Sequence, residues 1–138
     1  MKNTLRYFSF ILIISGLLTS CEFEVTTASL NDIKTCINIS GDLCDQDNIV
    51  FSPNDPQIYV SCKLKNAPAN TKVLFVWKYV EGETIIIDEV TLNSSDHGTD
   101  LDMNSSLSRP NNGWPTGKYE VEIKIEGDNP VIKTFTVQ

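Results

Sequence analysis

The densest run of potential ligands and bases is Asp96-His97-Gly98-Thr99-Asp100-Leu101-Asp102-Met103-Asn104, which holds the only histidine of the 138-residue chain. Asp100, Asp102 and Asn104 share the i, i+2, i+4 spacing of oxygen ligands that opens a calcium loop. The pattern then breaks: Ser105 stands where the sharp turn needs glycine, and no glutamate closes the loop. Zinc would need more histidine or cysteine than this stretch supplies. The run therefore reads as a solvated loop entering a strand, and no metal or cofactor is expected.

Asp88 and Glu89 are the next carboxylates to weigh. As neighbours on a strand they point to opposite faces, so they do not form an acid–base pair. Gly-x-Ser-x-Gly, a phosphate loop and a dinucleotide fingerprint are all missing from the sequence. A cysteine nucleophile would want a basic partner beside it, and His97 is the single histidine available. With no catalytic set, an enzyme is not expected.

Cys21 stands apart from the other thiols because of what precedes it. Lys2 and Arg6 form a short positive segment, followed by an apolar run over 7–18 broken by Ser9 and the Ser15-Gly16 pair. That run is shorter than the ~20 apolar residues that a permanent membrane helix needs, and it fits the middle region of an export signal. It ends in Leu18-Thr19-Ser20-Cys21, which resembles the bacterial lipobox: an aliphatic residue, two small residues, then cysteine. The resemblance implies cleavage between Ser20 and Cys21, with a diacylglyceryl group on the Cys21 thiol. Bacterial lipoproteins generally carry two or three chains. At about 0.8 kcal/mol per buried methylene, that is a permanent anchor where one chain would be marginal. Glu22 rather than aspartate follows Cys21, so the resemblance implies the outer membrane in preference to the inner.

Three cysteines remain on the exported side, where disulfides persist, and an odd number leaves at least one unpaired. Cys36 and Cys44 flank a turn containing Gly41, and Cys36 falls on the polar parity of its strand. The favoured bridge is Cys36–Cys44, with Cys62 a buried free thiol; Cys36–Cys62 is the rival pairing.

Removal of residues 1–20 takes two of the 11 basic residues and leaves 9 against 18 acidic ones, a net charge of −9. Such a surface, with no Lys/Arg cluster, does not attract nucleic acid or anionic head groups. The remaining 118 residues suit one domain.

The elements that position these groups are strands. Residues 21–30 are short, polar and rich in small side chains and read as a lipidated tether. From 31 onward the pattern alternates with period two between turn signals. Ile33, Thr35, Ile37 and Ile39 alternate first, and Ile49-Val50-Phe51 forms a short segment before Ser52-Pro53-Asn54-Asp55-Pro56. Ile58, Val60, Cys62 and Leu64 share an inner face, as do Val73, Phe75, Trp77 and Tyr79. Thr84 to Leu92 follows a hairpin turn at Glu81-Gly82-Glu83. Leu101, Met103 and Leu107 mark another strand, and Tyr119, Val121, Ile123 and Ile125 the clearest amphipathic one. Phe135 and Val137 point inward on the last, where the parity slip at Val131-Ile132 predicts a bulge.

Seven or so short strands with turns every eight to twelve residues predict an all-β, two-sheet antiparallel sandwich over 31–138. Cys62 inward on one strand, Trp77 inward on the next and the Tyr119-Glu120-Val121 step resemble the immunoglobulin-like domain. Val121 departs from that pattern by replacing the second cysteine, so the usual bridge between sheets cannot form. The resemblance implies a core resting there on Val121 and Trp77, and it implies little about function. Trp114, in the Pro/Gly/Asn-rich turn 109–117, is either an exposed aromatic contact for a partner or a plug over the end of the core; the second reading is favoured. The expectation is a membrane-anchored, non-catalytic binding or structural module of the bacterial cell envelope, with a possible protein partner. The alternative is an inhibitor or immunity lipoprotein that blocks an enzyme through an end loop at 93–100 or 109–117.

Overall fold

In the computed structural model, the residues described are 27–138, and all regular structure among them is β. Cys21 and the lipobox lie outside the described residues. The strands are β1 (Ser29–Cys36), β2 (Ile39–Ser40), β3 (Leu43–Cys44), β4 (Val50–Phe51) and β5 (Gln57–Lys65). They continue with β6 (Lys72–Tyr79), β7 (Ile85–Asn93), β8 (Leu101–Ser108), β9 (Gly117–Ile125) and β10 (Val131–Val137). Where about seven strands in two sheets are predicted, the described residues form ten in three. The additions are short pieces: β4 extends a main sheet by two residues, and β2–β3 is a small hairpin inside the Cys36–Cys44 loop.

The two larger sheets have the orders β1-β5-β8 and β4-β10-β9-β6-β7. Every pairing in them is antiparallel except β10 with β4. They are layered as a sandwich because their alternating apolar faces need each other. Ile58, Val60, Cys62 and Leu64 on β5 meet Val73, Phe75 and Trp77 on β6 and Val121 and Ile123 on β9, and each is fully buried. Removing such side chains from water is the main favourable term in the fold. The one polar group of Trp77 is satisfied across the layers, where its indole N–H donates to Ser105 Oγ at 2.9 Å.

Two boundaries differ from expectation. β1 begins at Ser29, which pairs with Lys65, and Ala28 already packs against the core. Strand pairing therefore reaches into the stretch read as a tether. The predicted bulge at Val131-Ile132 is not there: β10 and β9 run in unbroken register from Val131↔Ile123 to Val137↔Gly117. Both residues are exposed instead. The bulges lie between Asn31 and Lys34 on β1, where Asp32 has φ 52°, and at Ile87 on β7.

The registers sort the loops into two ends. Ser29, Lys65 and Leu101 lie at one end with the turns 66–71, 94–100 and 126–130. The other end gathers 52–56, 80–84 and 109–116, since Gln57 pairs with Ser108 and Tyr79 with both Ile85 and Tyr119.

Candidate functional site

Cys36 and Cys44 form a disulfide with Cα atoms 5.7 Å apart, and both residues are buried. Cys62 is a free thiol at 0% exposure. Burial first, and then the charge of Asp102, push its pKa up to about 12. It therefore stays protonated at neutral pH and is no nucleophile.

The acidic run is dispersed by its own secondary structure. Asp102 and Asn104 lie on β8, where alternate residues are about 6.6–6.8 Å apart. Asp100 is already engaged: its carboxylate accepts from Asn66 N–H at 3.1 Å and Lys65 Nζ at 3.3 Å. The Asn66 N–H first, then Lys65, hold its carboxyl below the usual range. These bonds fix the tight turn at Asn66, whose φ is 54°. Asn104 donates to Asp42, and His97 is exposed. Among the described residues no group of three or more His, Cys, Asp or Glu is placed to hold a metal ion.

Trp114 is 4% exposed, inside the core cluster. Its backbone N–H donates to Pro53 carbonyl at 3.0 Å, and its indole N–H to Asp55 carbonyl at 2.7 Å. Gly113 makes the approach to Pro53 possible: its φ is 81°, and a Cβ there would lie 3.0 Å from the Pro53 oxygen. Arg109 staples the same two loops, donating from its backbone to Pro56 and from its guanidinium to Asn54. Behind the indole, Tyr119 stacks on Phe135 at 5.1 Å, and Phe135 meets Phe51 and Trp77 edge-on. The 109–117 turn is thus fastened to 52–56 by its own hydrogen bonds.

The surface feature that sequence reasoning did not single out is β7. It is an edge strand, and Ile85, Ile86 and Ile87 are 56%, 56% and 42% exposed. The bulge explains their aim. Trp77 pairs with Asp88 but Lys78 pairs with Ile86, leaving Ile87 as the extra residue. An extra residue switches which parity faces inward. Val90 and Leu92 lie opposite inward-facing Phe75 and Val73, while beyond the bulge Ile85 lies opposite Tyr79. Ile85 and Ile87 consequently line a groove of about 220 Å³ with Tyr79, Pro110, Trp114 and Pro115. Exposed apolar side chains on an edge strand are normally avoided, which makes this groove the candidate interaction site.

The chain matches no protein-family model and no curated protein in sequence. Among solved structures it is similar to part of the alkylpurine DNA glycosylase AlkC of Pseudomonas fluorescens, at 13% identity and a TM-score of 0.50 over 80% of this chain and 30% of that one. It is also similar to part of a β-glucosidase, EmGH1, from Erythrobacter marinus (9% identity, TM-score 0.49, 82% of this chain and 16% of that one). The first likeness is one of fold alone, and the second carries no argument. The chain spans less than a third of the length of either protein.

Proposed function

We propose that the chain is a lipid-anchored, non-catalytic binding or structural module of the bacterial cell envelope, held by lipid on Cys21 and carrying an immunoglobulin-like sandwich. One observation carries the reading: Lys2 and Arg6, the apolar run and Leu18-Thr19-Ser20-Cys21 occur in the order and spacing of a lipoprotein signal. The sandwich assignment is supported by the orders β1-β5-β8 and β4-β10-β9-β6-β7, and by the Tyr119 hydroxyl donating to Pro115 carbonyl at 2.6 Å as in a tyrosine corner.

The two ends of the sandwich support a binding role. Ser29, where the proposed tether enters, shares its end with the 94–100 turn. The Ile85–Ile87 groove and the 109–117 turn lie at the opposite end, clear of that tether. The stapling of 109–117 to 52–56 favours a fixed contact surface over an inhibitor that inserts a loop into an enzyme. By the lipobox resemblance the anchor is in the outer membrane.

Labelling with radioactive palmitate tests the reading. The native chain is expected to take up label and fractionate with membranes, and Cys21→Ser to remain an unlabelled precursor. Normal labelling of Cys21→Ser would refute the anchor.

A further inference from the structure

The outer edge of β7 has no paired strand among the described residues, and its first three residues are exposed isoleucines beside an apolar groove. An edge of this kind offers a row of backbone N–H and C=O groups to an incoming strand, with pockets for alternate side chains. Acidic residues predominate along it, and the exposed Lys72 stands opposite Asn93, at the end away from the isoleucines. Between Lys78 and Arg109 the sequence has no lysine or arginine and seven acidic residues. Glu81, Glu83, Asp88 and Glu89 are all exposed. The flanking cations are committed, Lys78 to Glu122 and Arg109 to the Asn54 carbonyl.

A second copy fits this edge poorly. A two-fold pairing centred on β7 sets Asp88 or Glu89 against an acid of the other copy, and like charges directly opposite are destabilising. A cationic strand removes that penalty and gains the attraction.

We propose that β7 accepts an added strand from a partner protein: an extended segment alternating apolar side chains with lysine or arginine. The apolar side chains pack on Ile85, Ile87 and the groove, and the cations, on the opposite face of the added strand, meet Glu89. This rests on the reading of the chain as a binding module and names the site and the chemistry of its partner.

The test uses the full chain in detergent, titrated with two synthetic peptides, one of alternating valine and lysine and one of alternating valine and glutamate. Amide hydrogen exchange locates the binding. The valine–lysine peptide is expected to bind and to slow exchange of the β7 amides, with binding that weakens as salt rises; the valine–glutamate peptide is expected neither to bind nor to protect β7. Ile87→Lys and Glu89→Lys are each expected to weaken binding by about tenfold or more, with melting temperatures unchanged because both side chains are exposed.

Absence of β7 protection, protection at β4 or β1 instead, or undiminished binding by both variants overturns the proposal. So does a dimer of the chain itself paired through β7, which gives the edge to a second copy. Palmitate labelling separates this outcome from the anchor. A labelled chain that fails to bind loses only the strand-docking site, and an unlabelled chain that binds loses only the lipid.

Discussion

The Tyr119 hydroxyl donates to the carbonyl oxygen of Pro115, four residues earlier, at 2.6 Å. The bond ties the start of β9 to the turn that carries Trp114. Burial first, and then the neighbouring Tyr79, push the Tyr119 phenol up to about 12, so it keeps its proton and remains a donor at neutral pH. Tyr119→Phe is expected to cost about 0.5–1.5 kcal/mol, the usual net worth of such a bond, while the stack on Phe135 survives. Urea unfolding with an unchanged m-value measures it. An unchanged midpoint would mean that the other turn contacts suffice.

Trp77 is the largest fully buried side chain, and its indole N–H is satisfied by Ser105 Oγ. Trp77→Ala is expected to cost about 3–5 kcal/mol through lost contacts and the cavity left behind. Ser105→Ala leaves the indole N–H unpaired in the core and is expected to cost about 1–3 kcal/mol. In a double-mutant cycle the two losses should not add, since they share one bond. A Trp77→Ala loss below about 1 kcal/mol would contradict its central position.

Much of this core was legible because burial on one face and water on the other print a two-residue period. Ile58 to Leu64, Val73 to Tyr79 and Tyr119 to Ile125 alternate for that reason, and the structure buries the same faces. Where both faces meet similar surroundings, the period carries no information. Ile85-Ile86-Ile87 are uniformly apolar, so neither the bulge at Ile87 nor the exposure of β7 could be read from them. Val131 and Ile132 mimic a parity slip because both are exposed near the end of the sandwich, while their register is regular. Ser29 and Leu30 read as tether because their pairing with Lys65 and Leu64 leaves no local signature.

The Cys36–Cys44 bridge closes a short loop around the β2–β3 hairpin. Chain-entropy arguments put such a closure at about 2–3 kcal/mol. Replacing both cysteines by alanine is expected to lower stability by that amount, and adding reductant to the native protein should reproduce the loss. Mass spectrometry with thiol alkylation should find one modifiable cysteine, Cys62, in the unfolded, non-reduced fragment 27–138. Three there would exclude the bridge.

Cys62 makes stability fall on the alkaline side. Its pKa rises from an ordinary value of 9.0 to about 12 in the fold, because the buried thiolate is poorly solvated. The folded chain therefore holds this proton more tightly than the unfolded chain. Its contribution is complete below about pH 9 and declines until about pH 12. Tyr119 adds the same trend from its ordinary value of 10.0 upward. Cys62→Val is expected to change stability at pH 7 by less than about 1.5 kcal/mol and to delay the alkaline decline by about one pH unit, the gap between the ordinary thiol and phenol values of 9.0 and 10.0. An unchanged pH profile for that variant would show that Cys62 is not the titrating group.

β10 is the last in sequence of the ten strands among the described residues, yet it lies between β4 and β9 and joins them. Phe135, which carries the aromatic contacts to Phe51, Trp77 and Tyr119, arrives with it. The larger sheet therefore cannot close until residue 137 is free to pair. Edge pairing with β4 and the aromatic cluster around Phe135 thus depend on one seven-residue strand, and loss of that strand would cost both together.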